Sequence, residues 1–291
     1  MFSKAYNLAK SFTHPLVVAM RYHDKTVESG LGAFVVLNED GWLMTAAHNF
    51  GAAFAFGQHQ QELAQFNEKA EKINANTKIK EHQRKVLAQA LKPNPKWITD
   101  FAVMLAGQRI EVLEHFFYQE NDIAFMRVDK NFIKGQLVFP KIIDPSKINP
   151  GTSLCKFGYP FVEVKANFNI ASNQFDLPAN LLPVPFFPIE GIYTRNMLMG
   201  KTQDQQREIL FLETSSPGLK GQSGGPICDT EGNIYAVQSQ NLTIPLGFLG
   251  TVEINKKKVE ENQFFNVGIG VHPKIIVDLL VKHNIKFALA S

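Results

Sequence analysis

Gly221-Gln222-Ser223-Gly224-Gly225-Pro226 sets one serine inside a glycine-rich turn. Glycine enters left-handed backbone without steric cost, so such a turn bends sharply and aims neighbouring N–H groups at one point. The N–H groups of Gly221 and Ser223 are the pair that would converge. Converging donors stabilise an oxyanion, and losing one costs about 10²–10³ in rate. A serine hydroxyl is a weak nucleophile at neutral pH and needs a neighbouring base. Outward from this turn, the chain supplies two further short motifs. Thr45-Ala46-Ala47-His48 closes one apolar run, and Asn121-Asp122-Ile123-Ala124 opens another. Histidine suits the task because it titrates near neutrality. A carboxylate fixes its tautomer and stabilises the imidazolium. Singly, Ser223 reads as a turn residue, His48 as a strand-end histidine and Asp122 as a strand-start turn residue. Together they read as a nucleophilic constellation in the chain order His, Asp, Ser.

The rest of the sequence narrows the class. A chain of 291 residues with 45% apolar and 20% charged residues has material for a full core, which excludes a disordered or collagen-like protein. A net charge of +3 gives no broad basic field, so no nucleic-acid partner is expected. No run of 18 apolar residues occurs, so no membrane span is expected. The N-terminus lacks an apolar signal core, and Cys155 and Cys228 cannot form a disulfide framework. A cytoplasmic protein is the expectation. His14, His23, His59, His82, His115 and His283 show no ligand spacing, and neither HExxH nor CxxC occurs, so neither metal nor cofactor is expected.

Residues 1–14 read as a polar lead. Short apolar runs then alternate with turn signals: Leu16–Met20, Gly32–Leu37, Trp42–Thr45, Phe101–Leu105, Ile110–Phe117, Ile123–Val128, Leu137–Ile143, Ser153–Gly158, Ile209–Thr214, Pro226–Cys228, Ile234–Gln238 and Phe265–Gly270. Many short strands predict a mostly β barrel or sandwich. Residues 57–91 break this rhythm. Leu63, Phe66, Ala70 and Ile73, then Ile79, Val86, Leu87 and Leu91, fall at helical spacing around a polar break at 74–77. This predicts two helices that end before Pro93. Their excess of Lys and Arg reads either as a solvated face or as a docking surface for an activating partner. Residues 175–191 carry four prolines among Leu181, Leu182, Phe186 and Phe187. They read as a structured loop, either packed on the body or offered to a partner. Pro273–Phe287 reads as a C-terminal helix.

The three motifs resemble those of chymotrypsin-fold serine proteases, and more narrowly the HtrA-like branch of trypsin-like peptidases. Leu212-Glu213-Thr214 before the serine turn, Gly232-Asn233-Ile234 with Val237-Gln238-Ser239, and Gly268-Ile269-Gly270-Val271 before His272-Pro273 extend the likeness across roughly 15–285. The resemblance implies a mostly β fold of two antiparallel six-stranded barrels in one peptidase domain over 1–291. The N-terminal barrel would span 15–140 with the helical insert 57–91, the C-terminal barrel 150–271, and a terminal helix 272–291. It also implies peptide-bond hydrolysis of a protein or peptide substrate through an acyl-enzyme. His48 would be the base, Asp122 its orienting group, Ser223 the nucleophile, and Gly221 and Ser223 N–H the oxyanion hole.

The departures from the family pattern carry expectations of their own. Gln222 stands where secreted trypsin-type enzymes have an aspartate that pairs with a newly cut N-terminus, so activation by cleavage is not expected. No PDZ-like domain is expected after the peptidase domain. Pro217 stands where those enzymes carry the aspartate that selects Lys or Arg, so basic specificity by that route is not expected. Gln238, Ser239 and Gln240 would line the substrate pocket. His272 reads as a helix-start residue, with a pocket role as the alternative. The family's disulfide lies near Cys155 and Cys228 in a different register, so buried free thiols are expected. Two other readings stay open: a protease fold kept for binding, and a latent protease whose loop 215–222 is set by a partner.

Overall fold

The computed structural model describes residues 1–254 and 257–290. The expected polar lead is instead a helix, α1 (Ser3–Phe12), whose Ala5, Ala9 and Phe12 are buried. Two of these three residues are alanines, so its apolar stripe is faint in the sequence.

The first sheet comprises β1 (Thr13–Tyr22), β2 (Val27–Val36), β3 (Trp42–Thr45), β4 (Ile98–Leu105), β5 (Gln108–Arg109), β6 (Val112–Tyr118) and β7 (Ile123–Val128). It is antiparallel in the order β5-β4-β1-β2-β3-β7-β6. The sheet is curled into a half-barrel, in keeping with the N-terminal barrel of the expected double-barrel fold, and carries seven strands where six were expected. β5 is only two residues long, and no pairing joins it to β6 among the described residues.

The second sheet uses β8 (Lys141–Ile143), β9 (Ser153–Gly158), β12 (Phe187–Lys201), β13 (Glu208–Thr214), β14 (Pro226–Cys228), β15 (Ile234–Ile254), β16 (Lys257–Val271) and β17 (Ala288–Ala290). A small separate hairpin, β10 (Asn167–Asn169) and β11 (Gln174–Asp176), precedes β12. The order β14-β9-β12-β13-β16-β15 closes on itself through β14–β15, giving a six-stranded ring. β8 and β17 add a parallel flank. The predicted strand Leu137–Ile143 shortens to Lys141–Ile143, since Pro140 has no N–H to give a ladder.

Strand β1 shows how the two units share a core. Leu16 and Val18 face the interior of the first sheet with Phe34, Leu43 and Met126. Val17 and Ala19 alternate to the other side, where one cluster continues to Phe157, Val237 and Ile276. Both faces of β1 are buried, which is why its apolar run is continuous. The ring of the second sheet encloses Leu154, Tyr193, Leu212, Ile227 and Ala236. Cys155 and Cys228 are register partners across β9 and β14, closer than expected, and both are buried and free.

The insert forms α2 (Gly51–Ala75) and α3 (Glu81–Ala90), broken where expected. Neither helix has a fully buried residue. α2 leans on β4 through the Phe56–Phe101 stack, with centroids 5.9 Å apart, and through His59 Nδ1, which accepts from Ile98 N. In the proline-rich loop, Phe186 is buried and stacks on Phe157 at 5.6 Å, so this side chain packs on the body. Phe187 remains exposed at the start of β12.

The last helix is α4 (Pro273–Lys282), shorter than predicted because β17 follows. His272 caps it, with Nδ1 accepting from Lys274 N at 3.1 Å. Burial holds the His272 pKa down to about 4. The unfolded chain therefore takes up this proton near pH 6.5, well before the folded chain does. The stabilisation is complete above pH 6.5 and is lost as pH falls toward 4. His272→Asn keeps a cap acceptor and removes the titration. Between pH 6.5 and 4.5, its unfolding free energy is expected to fall less steeply than that of the wild type. The full difference is about 3 kcal/mol, checked by urea titration at each pH.

Candidate active site

The pairing Thr45↔Ala124 sets the end of β3 beside the start of β7. His48 follows on a short 3-10 turn, Ala47–Phe50, and Asp122 precedes β7 in a turn closed by Asp122 N to Gln119 O. Asp122 sits at φ +50°, a left-handed conformation that Asp tolerates better than most residues. Its carboxylate faces the imidazole. His48 Nδ1 lies 2.8 Å from Asp122 Oδ2, and His48 N donates to Oδ1 at 2.9 Å. Ser239 Oγ donates to Oδ2 as well. The carboxylate thus has three partners. Its hydrogen bond raises the His48 pKa, outweighing the opposing effect of burial.

The serine turn packs against the same strand ends. Ser223 O accepts from Ala33 N at 2.8 Å and from Asn49 Nδ2 at 3.2 Å. Gly221 lies at φ +98° and Gly224 at φ +83°. Within the turn, Gln222 N, Gly224 N and Gly225 N are all paired. Gly221 N and Ser223 N donate to no group among the described residues. Gln222 is buried, and its Oε1 accepts from Leu219 N at 2.9 Å, holding the turn from inside. His48 Nε2 and Ser223 Oγ make no hydrogen bond among the described residues. Such bonds are often loose before substrate arrives. A groove of about 560 Å³ opens beside the turn, lined by Ser29, Leu31, Val164, Lys220 and Gly221.

A Cβ at Gly224 would lie 2.1 Å from Thr45 Oγ1 and 2.2 Å from Ala33 O. Gly224→Ala therefore meets both a positive φ and fixed backbone. It is expected to cost about 3 kcal/mol or more, read as a lowered Tm together with lost activity.

The expected pocket residues divide. Gln238 is buried, and its Nε2 donates to Gln240 O at 3.1 Å. Gln240 is exposed and Pro217 half-buried. Ser239, read from sequence as a pocket wall, turns its hydroxyl onto Asp122, so its side chain belongs to the His–Asp network. Asn241, which no motif marked, bridges the wall. Gly218 N donates to Asn241 Oδ1 at 2.7 Å, and Asn241 Nδ2 donates to Gly218 O at 2.7 Å. Asn49 was equally unmarked, since it gains its role only when the strand ends meet the serine turn.

The sequence matches the family model of the trypsin-like peptidase domain over residues 30–237. The chain belongs to the trypsin-like peptidase family. It is similar to the HtrA-type protease AlgW solved with a decapeptide, at 14% identity and a TM-score of 0.50, covering 97% of this chain and 67% of that one. The same protease with a tripeptide gives 15% identity and a TM-score of 0.49, covering 98% of this chain and 64% of that one. The chain therefore spans a little under two thirds of the tripeptide-bound protein chain. The active form of the Rv3671c protease from M. tuberculosis gives 11% identity and a TM-score of 0.49, covering 99% and 88%. No curated protein matches the sequence significantly. The sheet order and the decapeptide-bound likeness establish a mostly β, chymotrypsin-like fold. Among the described residues, no helix is long and apolar enough to cross a membrane.

Proposed function

We propose that the chain is a serine endopeptidase that cleaves protein or peptide substrates through an acyl-enzyme. The observation that carries this is the His48–Asp122 contact of 2.8 Å beside a turn with two undirected N–H groups. Ser223 Oγ attacks the scissile carbonyl while His48 Nε2 takes its proton. The oxyanion forms between Gly221 N and Ser223 N. His48 then returns the proton to the leaving amine, and water repeats the sequence on the ester. Two opposed, unbridged thiols suit a reducing cytoplasm.

The test is intact-mass spectrometry after treatment with a fluorophosphonate. One adduct on the wild type and none on Ser223→Ala is expected. A folded wild type that takes no adduct overturns an assembled site.

A latent resting state is the second reading, favoured by the Gly218–Asn241 bridge across the substrate wall. An activating protein would then act through 57–91 or 175–191. Addition of that partner would restore fluorophosphonate labelling.

A further inference from the structure

Lys156, on β9, is 1% exposed. Its Nζ donates to Ser216 Oγ at 2.7 Å. Among the described residues no carboxylate pairs with it. Glu213, on nearby β13, is taken by Arg195 at 2.8 Å. An ammonium group has three donors, so two are unused here. A buried cation without a counter-charge is costly, and natural chains tolerate such conflicts chiefly at functional sites.

The position of this cation ties it to the substrate wall. A Cβ at Gly268 would lie 2.7 Å from Lys156 Cε, 2.6 Å from Ser216 O and 2.8 Å from Thr214 Oγ1. Gly268 is the register partner of Asn241 on β15 and of Thr214 on β13. Asn241 in turn closes onto Gly218, two residues beyond Ser216. The lysine end therefore lies beneath Gly268, between the loop that leads into the serine turn and the strand after Ser239, on the side where Asn241 bridges to Gly218. Gln238 Oε1, buried close to Gly218, also lacks a partner among the described residues.

Resting on the protease reading, we propose that Lys156 is the specificity-determining residue of the primary pocket. It selects substrates with an acidic side chain on the acyl side of the cleaved bond. The substrate carboxylate displaces the Asn241 bridge and accepts the unused lysine protons, making the charge-assisted contact that the resting chain lacks. Burial lowers the Lys156 pKa to about 8, so the amine still carries its proton at neutral pH.

The test compares paired peptides that differ only by Glu or Gln before the cleaved bond, since these side chains have nearly the same shape. The wild type is expected to favour Glu by about tenfold or more in kcat/KM. In Lys156→Met the ratio should fall to about one, while Ser223 still labels with fluorophosphonate. A labelled wild type without the preference overturns the proposal, as does a labelled Lys156→Met that keeps it. A second arm needs neither hydrolysis nor a folded variant at 156. Tetrapeptide amides ending in Glu or Gln are titrated calorimetrically into Ser223→Ala. Tighter binding of the Glu peptide supports the pocket even where labelling fails and the protease reading falls. Equal binding overturns the pocket whatever the labelling shows.

Discussion

Ser223→Ala is expected to lower kcat/KM on a cleaved peptide by on the order of 10⁶. His48→Ala should cost about as much, and the double variant little more than either alone. Without a base the hydroxyl is a poor nucleophile, and without the hydroxyl the base has nothing to activate. Gly221 N and Ser223 N survive all three changes, so a residual acceleration of about 10³–10⁴ over water should remain. The fold should be indifferent, because the hydroxyl makes no hydrogen bond among the described residues and only its backbone carbonyl is used, by Ala33 and Asn49. Equilibrium unfolding should place Ser223→Ala within about 0.5 kcal/mol of the wild type. Additive losses, or turnover that survives in the alanine variant, would show that Ser223 and His48 do not act as a unit.

What could be read from the sequence follows from how local each signal is. The glycine turn around Ser223, the strand-end His48 and the strand-start Asp122 each lie within a few residues, and the strand pairing of β3 with β7 then does the joining. β1 and β7 were visible because burial makes them nearly continuous apolar runs. Helix α1 was missed because its buried face is largely alanine. The long hairpin of β15 and β16 was seen only at its roots, Ile234–Gln238 and Phe265–Gly270. Beyond them, Pro245, Gly247 and a register shift between Pro245 and Leu249 interrupt the alternation that marks a strand. The helical insert was legible in position but not in consequence, because neither α2 nor α3 buries a side chain fully. Ser239 is legible only as part of Val237-Gln238-Ser239, because its acceptor, Asp122, is 117 residues distant in sequence. Lys156 gave no signal at all. A lysine in a strand reads as a solvated residue, and only closure of the ring takes it out of water.

Asp122→Asn tests the other half of the site, with an expected loss on the order of 10⁴ in kcat/KM. The carboxylate accepts from His48 Nδ1, His48 N and Ser239 Oγ, so it favours the tautomer with the proton on Nδ1 and the lone pair on Nε2, the nitrogen that takes the Ser223 proton in the proposed mechanism. An asparagine amide that kept the Ser239 contact through its oxygen would offer an N–H to Nδ1. That reverses the tautomer and leaves Nε2 as a donor, which cannot take the Ser223 proton. The backbone should tolerate the change, since Asn accepts φ near +50° as readily as Asp. The pH profile separates this effect from simple damage. In the wild type Asp122 raises the His48 pKa, so the acidic limb of kcat/KM lies above the ordinary histidine value of 6.5. Activity grows as pH rises through that limb, because only neutral His48 is a base. Removing the charge lowers the His48 pKa, and the limb should move to lower pH while its plateau falls. A loss below about tenfold, or a limb that stays in place, would mean that Asp122 neither orients nor polarises His48.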